Sequence, residues 1–138
     1  MADGILRDKF KEAGIDAEVD SAGTANYHIG KAPDDRAVAN MAENKHDISM
    51  LRARQFGVRD FDEFDEIYVM DRSNYENVMK LARSEADKKK VNLFMNLSNP
   101  GENIEVPDPY YGGDEGFQKV YEMLTEAADV LISKVKNG

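Results

Sequence analysis

The stretch Val-Pro-Asp-Pro-Tyr-Tyr-Gly-Gly at residues 106–113 places one carboxylate between two prolines and next to two aromatic rings. Pro109 biases the backbone of Asp108 toward an extended conformation, and Pro107 has its own φ fixed by its ring. The carboxylate is therefore held still beside an aromatic wall, as suits a group with a single chemical task. The alternative is that the prolines form a stiff turn and that Tyr110 and Tyr111 serve only packing.

Three other polar residues are candidates for a site because they stand where predicted strands end. Ser21 precedes a turn at Gly23, while Asp71 and Asn74 follow an apolar run at residues 66–70. Each has a simpler explanation. Asp71 equally well fits a helix N-cap that satisfies free backbone N–H groups, and the Ser21 hydroxyl suits a turn.

Metal chemistry has little support in the sequence. His28 and His46 are isolated histidines without a spaced set of carboxylate ligands, which makes a poor metal site. The acidic stretch at residues 60–66 raises the alternative of an aspartate nucleophile with magnesium. Its pattern instead favours inward packing of the phenylalanines, with Asp60 and its acidic neighbours facing solvent.

The composition excludes several classes of protein. The chain has 138 residues, 41% of them hydrophobic, and a mean hydropathy of −0.63, which predicts one soluble domain covering residues 1–138. The sequence contains no cysteine, so it holds no disulfide, no thiolate metal site and no cysteine nucleophile. The net charge of −9 argues against nucleic acid or an anionic membrane as a partner. No apolar run approaches a membrane span or a signal peptide, so we predict a cytoplasmic protein.

Alternating helices and short strands are predicted along the chain. Helices are expected at about residues 2–13, 34–45 and 114–136, and from Ser73 onward, where Ser73 and Glu76 have capping-box spacing. Strands are expected at residues 17–21, 66–70 and 91–95. This alternation predicts an α/β fold with three layers, in which helices cover both faces of a parallel sheet and the active site lies at the strands' carboxyl ends.

Five ordered blocks of the sequence resemble the low-molecular-weight protein tyrosine phosphatases. They are DSAGT at 20–24, NYHIGKAPDDRA at 26–37, ARQF at 53–56, FDEFDEIYVMDRSN at 61–74 and DPYYGG at 108–113. The resemblance covers nearly the whole chain. It implies a four-stranded parallel sheet and the hydrolysis of aryl phosphates through a phosphocysteine, with no metal or other cofactor. The implied substrate is a phosphotyrosine protein or a small aryl phosphate.

The resemblance also implies roles for the candidate residues. Asp108 is similar to the family's general acid, which protonates the departing phenolate oxygen and contributes about 10²–10⁴-fold to the rate. Aromatic rings that line the slot for the substrate ring are implied at Tyr27, Tyr110 and Tyr111. Residues that support the phosphate-binding loop from behind are implied at Ser21, Asp71 and Asn74.

The family's nucleophile loop, of the type C-x-x-x-x-x-R-S after an apolar central strand, has no match in this sequence. Met1-Ala2-Asp3-Gly4 resembles the end of the segment that follows that loop. The sequence therefore predicts a phosphatase-like domain that starts just after the nucleophile loop, with its first, central strand missing. Such a strand would contribute roughly 10 kcal/mol of burial, a large share of a domain's stability. We expect an upstream piece to complete the sheet, chains to swap strands into an oligomer, or the remaining strands to close the gap.

Two functions from different classes follow. The complete protein would be a protein tyrosine phosphatase with Asp108 as its acid, while the 138-residue chain, lacking cysteine, should be inactive. The alternative is a non-catalytic phosphatase-like remnant or binding protein. Loss of cysteine favours the remnant, and the intact Pro-Asp-Pro loop favours the enzyme.

Overall fold

The computed structural model describes residues 1–23, 30–107 and 113–137, with only the backbone described at position 114. The helices are α1 (Ala2–Glu12), α2 (Asp35–Glu43), α3 (Asp60–Glu63), α4 (Arg72–Met79), α5 (Glu85–Lys89) and α6 (Gly113–Asn137). The strands are β1 (Ile67–Val69) and β2 (Val91–Leu93), and a 3₁₀ turn (Phe94–Asn96) follows β2 directly. Among these residues, no helix has the length and hydropathy needed to cross a membrane.

The two strands pair in parallel, with Ile67 opposite Val91 and Val69 opposite Leu93. Side chains alternate between the two faces of a strand, so these four apolar residues share one face. Tyr68 lies on the other face, where its ring meets Phe94 edge-on at a centroid distance of 5.6 Å. The expected three-layer α/β fold is confirmed, with an apolar cluster on each face of the sheet.

Each face is covered by a different group of helices. On the Tyr68 face, α1 and α2 pack against the long helix α6, and the cluster contains Ile5, Met41 and Leu124. On the opposite face the smaller cluster contains Phe61 from α3 and Val78 from α4. The apolar residues at helical spacing in α1 and α6 therefore face the core, as their periodicity predicts.

The start of α4 corrects the predicted capping box. The helix begins one residue before Ser73, and the Asp71 carboxylate is its cap: Oδ1 accepts a 2.8 Å hydrogen bond from the Asn74 N–H. An aspartate at the N-cap satisfies a free donor of the first turn and also places negative charge at the positive end of the helix. Asp71 competes successfully with Ser73 because it is the last extended residue after β1.

The predicted strand at residues 17–21 is wrong as a paired strand. Within the described parts of the chain, residues 16–22 make no backbone-to-backbone hydrogen bond, and pairing begins only at Gly23, which bridges Gln55 in parallel. Residues with strand-like patterning still need a neighbour whose N–H and C=O groups face them. Instead, a cavity lies between this segment and β1, so the described strands have not closed the gap.

Candidate functional site at the ends of the strands

A cavity of about 1010 Å³ runs along β1 on the side away from β2. One wall consists of residues 15–22, another of Glu66–Asp71, and apolar side chains from α1 and α6 cover it. Ala2 and Leu6 come from α1, and Leu124 comes from α6. The cavity is therefore a channel beside β1 that has apolar side chains from the helices and several carboxylates in its lining.

Three residues that the sequence singled out line this cavity together. Asp71 and Asn74 lie where β1 passes into α4, and Ser21 lies on the opposite wall near the end of the 16–22 segment. The N–H of Ser21 donates to Asp20 Oδ1 at 2.8 Å, which forms the local turn. Ser21 thus lines the same channel as Asp71 and Asn74, which lie far from it in the sequence.

The segment before Asp108 reaches the same end of the channel. The Val106 N–H donates to the Met70 carbonyl at 2.8 Å, and Glu105 Oε1 accepts from the Arg72 N–H at 2.8 Å. Pro107 lines the cavity. The remaining predicted site residues, Tyr27, Asp108, Tyr110 and Tyr111, lie outside the described residues.

An ion-pair network that sequence reasoning missed supports the wall formed by residues 16–22. Arg54 donates to Asp60 through two hydrogen bonds of 2.9 and 3.1 Å and to Asp20 Oδ2 at 3.0 Å. Asp60 also accepts from the Gly57 N–H at 2.9 Å. This network ties α3 and the 54–57 loop to the otherwise unpaired segment. The sequence separation of 34 residues between Arg54 and Asp20 left no periodic signal that could have revealed it.

Asp60 was predicted to face solvent, and this prediction is wrong: only 5% of the residue is exposed. Burial alone would raise the pKa of its carboxyl group, but the hydrogen bonds from Arg54 and from the Gly57 N–H lower the pKa below its ordinary value of 3.8. The hydrogen bond to Asp60 is the main cause that raises the pKa of Arg54. A buried carboxylate paired in this way is a structural anion rather than a nucleophile, because both of its oxygens are occupied.

His46 also makes contacts that suit a structural role, because they link its loop to two helices. Its Nδ1 contacts the carboxylate of Asp8 in α1, and its Nε2 lies 3.0 Å from the hydroxyl of Tyr121 in α6. Within residues 1–23, 30–107 and 113–137, no group of three or more metal-ligating side chains occurs. His28 lies outside that part of the chain.

The electrostatics of the channel limit its chemistry. Among the described lining residues, Arg54 is the only one with a cationic side chain, and its guanidinium is already held by Asp20 and Asp60. Carboxylates such as Asp71 and Glu66 line both ends. Binding a phosphate dianion requires cationic groups or convergent N–H donors. Besides Arg54, the described lining offers the amino terminus of Met1, and burial lowers the pKa of that ammonium group.

Comparisons with known proteins agree with this architecture. The family model described as low molecular weight phosphotyrosine protein phosphatase matches residues 1–138. The low molecular weight phosphotyrosine protein phosphatase of Schizosaccharomyces pombe is 33% identical over 138 residues, covering 98% of this chain and 87% of that protein. A protein of the same description from Gallus gallus is 34% identical, covering 97% of this chain and 85% of that protein.

Solved structures show the same relationship. A protein tyrosine phosphatase from Entamoeba histolytica superposes with a TM-score of 0.91 at 29% identity, covering 99% of this chain and 88% of that one. A low molecular weight phosphotyrosine phosphatase from Vibrio cholerae O395 gives a TM-score of 0.88 at 32% identity, covering 98% and 86%. The fold, the cavity at the strand ends and these matches together establish that this chain belongs to the low-molecular-weight protein tyrosine phosphatase family.

Proposed function

We propose that this chain supplies the proton-donor and substrate-positioning half of a protein tyrosine phosphatase, and that it is inactive without a separate cysteine-bearing loop. Asp108 is the general acid, Tyr27, Tyr110 and Tyr111 line the slot for the substrate ring, and Ser21, Asp71 and Asn74 support the phosphate-binding loop. The supporting observation is the position of Pro107, which lines the cavity immediately before Asp108 and follows the Val106–Met70 hydrogen bond.

The proposed reaction has two steps. A thiolate attacks phosphorus, the bond from phosphorus to the aryl oxygen breaks, and Asp108 gives its proton to that oxygen. Water then attacks the phosphocysteine, and Asp108 takes a proton from this water, which releases phosphate and regenerates the thiolate. The sequence contains no cysteine, and no free cationic side chain lies in the described lining of the channel. The thiol nucleophile must therefore come from outside these 138 residues, and we propose that the phosphate cradle comes with it.

Turnover of p-nitrophenyl phosphate tests this function. The chain itself should give no turnover, whereas a variant extended before Met1 by an apolar strand and a C-x-x-x-x-x-R loop should be active. A matched extension with serine in place of the cysteine controls for contaminating phosphatases. An extended, folded variant that stays inactive would contradict the proposal and favour the second candidate, a non-catalytic phosphatase-like binding protein, which the absence of cysteine supports.

The role of Asp108 has its own signature. In the extended variant, Asp108→Asn should lower kcat/KM, which reports the step that expels the aryl oxygen, by about 10²-fold or more. The loss should be larger for phenyl phosphate than for p-nitrophenyl phosphate, because the more basic leaving group depends more on protonation. Equal losses for the two substrates would indicate a merely structural role for the Pro-Asp-Pro loop.

A further inference from the structure

The segment of residues 103–107 is fastened to the rest of the fold immediately before Asp108. At its start, the Asn103 N–H donates to Asn96 Oδ1 at 2.9 Å, and Asn96 Nδ2 donates to Asn103 Oδ1 at 3.1 Å. Asn103 has a φ of 55°, in the left-handed region that asparagine tolerates better than most residues. The chain therefore leaves this turn in a defined direction.

The side chains of the next three residues alternate between the core and the start of α4. Ile104 and Val106 pack against the larger apolar cluster. Glu105 lies between them and is exposed, yet its Oε1 accepts a 2.8 Å hydrogen bond from the Arg72 N–H. Ordering an exposed glutamate costs side-chain entropy, so a defined contact there indicates a partner that competes with water.

That partner is the amino end of α4. Arg72 is the first residue of this helix, and its N–H is one of the donors that have no acceptor within the helix. Asp71 accepts from another of these donors, the Asn74 N–H. The negative charge of Glu105 is favoured at the positive end of the helix, and a charged acceptor forms a stronger hydrogen bond than a neutral one. Glu105 is therefore a second carboxylate cap of α4, supplied from 33 residues further along the chain.

The cap lies beside a backbone hydrogen bond that holds the same segment. The Val106 N–H donates to the Met70 carbonyl at 2.8 Å. Two adjacent residues, Glu105 and Val106, thus bind the segment to the junction of β1 and α4, and Asp108 follows two residues later. The ring of Pro107 removes one rotatable backbone bond between this anchor and Asp108.

We propose that Glu105 is a positioning residue for phosphate-ester cleavage: its bond to the Arg72 N–H fixes the point from which the Pro-Asp-Pro loop begins. The proposal rests on the function proposed above, in which Asp108 is the general acid. Proton transfer requires hydrogen-bonding reach to the departing oxygen, and a small displacement of the acid reduces its contribution steeply. Glu105 acts through the backbone and transfers no proton itself.

The kinetic test uses the extended variant with two substrates. Glu105→Ala should lower kcat/KM by about tenfold for phenyl phosphate but by about threefold or less for p-nitrophenyl phosphate, because the more basic leaving group depends more on protonation. Glu105→Gln keeps an acceptor oxygen and should retain about half of the activity or more. Glu102→Ala is the matched control, since Glu102 is exposed in the same loop and its side chain has no hydrogen bond or ion pair to the residues that the structure describes. It should leave kcat/KM unchanged.

A second comparison separates positioning from a merely structural effect. In the Asp108→Asn background, Glu105→Ala should lower kcat/KM by less than about twofold, because the proton donor that it positions is already gone. A loss as large as in the presence of Asp108, or equal losses for the two substrates, would overturn the proposal. An unchanged kcat/KM in Glu105→Ala would do the same and leave the proposed function intact. An inactive extended variant, by contrast, would contradict both.

The anchor is also measurable without phosphatase activity. In the 138-residue chain, Glu105→Ala should speed amide hydrogen exchange at Val106 by about threefold or more relative to Glu102→Ala, because the bond to the Met70 carbonyl loses the support of its neighbour. Glu105→Gln should restore most of the protection. Unchanged exchange at Val106 in Glu105→Ala would overturn the proposal even if kcat/KM fell.

Discussion

The two edges of β1 differ in what they contact. One edge pairs with β2 over three residues, and behind it lies a cluster with fully buried Phe61. The other edge faces a channel, and the segment across it, residues 16–22, has no strand partner in the described parts of the chain. The side of β1 that is paired with β2 is here called the completed half of the sheet. The side that faces the channel is called the channel half. Strand formation depends on a neighbouring edge as well as on the strand's own residues.

Core substitutions should show the largest difference between the two halves. Phe61→Ala should destabilise the chain by about 3–5 kcal/mol, because it removes a buried ring from the completed half. Val19→Ala, on the channel wall, should cost less than about 0.5 kcal/mol, because this residue is only partly buried. Urea unfolding measures both variants. Equal losses would show that the channel half is packed as tightly as the other.

The Arg54 network should have the next largest effect, because it connects the two halves. Arg54→Leu leaves the carboxylate of Asp60 buried with only the Gly57 N–H as a described donor, and should cost about 1–3 kcal/mol. Lys88→Ala, which breaks an exposed pair with Glu85, is the matched control and should cost less than about 0.5 kcal/mol. Adding Asp60→Asn to the Arg54→Leu variant should recover part of the loss. Similar losses for the two single variants would contradict this account.

Lowering the pH should weaken the Arg54–Asp60 network. The pKa of Asp60 is lowered in the folded chain, so its contribution to stability is complete above its ordinary value of 3.8 and is lost as pH falls through the lower, folded value. Asp62 and Asp87, whose pKa values are lowered chiefly by hydrogen bonds from Arg83, add to the trend. Urea midpoints should therefore fall between pH 5 and pH 2.5. Asp60→Asn should make this dependence shallower, and an unchanged slope would remove Asp60 from the explanation.

The smallest effect should appear in local hydrogen exchange of the free chain. The amide of Tyr68, which faces the channel, should exchange faster than that of Ile67, which is bonded to Lys90. Both residues belong to one strand, so global unfolding affects them equally and only local access differs. Exchange measured by NMR at neutral pH compares them directly. Equal protection would mean that the channel edge of β1 is closed in solution.

The sequence predicted the elements whose stability is mainly local. The periodicity of apolar residues located α1, α2 and α6, and the short apolar runs located β1 and β2 to within two residues at each end. Ser21, Asp71 and Asn74 were expected at one rim, and all three line one cavity. The rule that the carboxyl ends of parallel strands share an edge of the sheet accounts for Asp71 and Asn74, which follow β1, whereas Ser21 follows no paired strand in the described residues.

The predictions that failed involve partners distant in the chain. The strand at residues 17–21 lacked a neighbour, and Asp60 was buried by Arg54 and by the Gly57 N–H rather than facing solvent. Asp71 rather than Ser73 caps α4, because Asp71 is the extended residue that directly precedes the helix. Each outcome depended on which groups the fold brought within hydrogen-bonding distance.

The sequence by itself determined the family blocks, the absence of a thiol nucleophile and the positions of most helices, because composition and periodicity act over a few residues. Only the tertiary structure decided that a channel borders β1 and that the one described cationic side chain in its lining is occupied by carboxylates. The physical reason is that strand pairing and ion pairing are contacts between segments, and their energies exist only after the chain has brought those segments together.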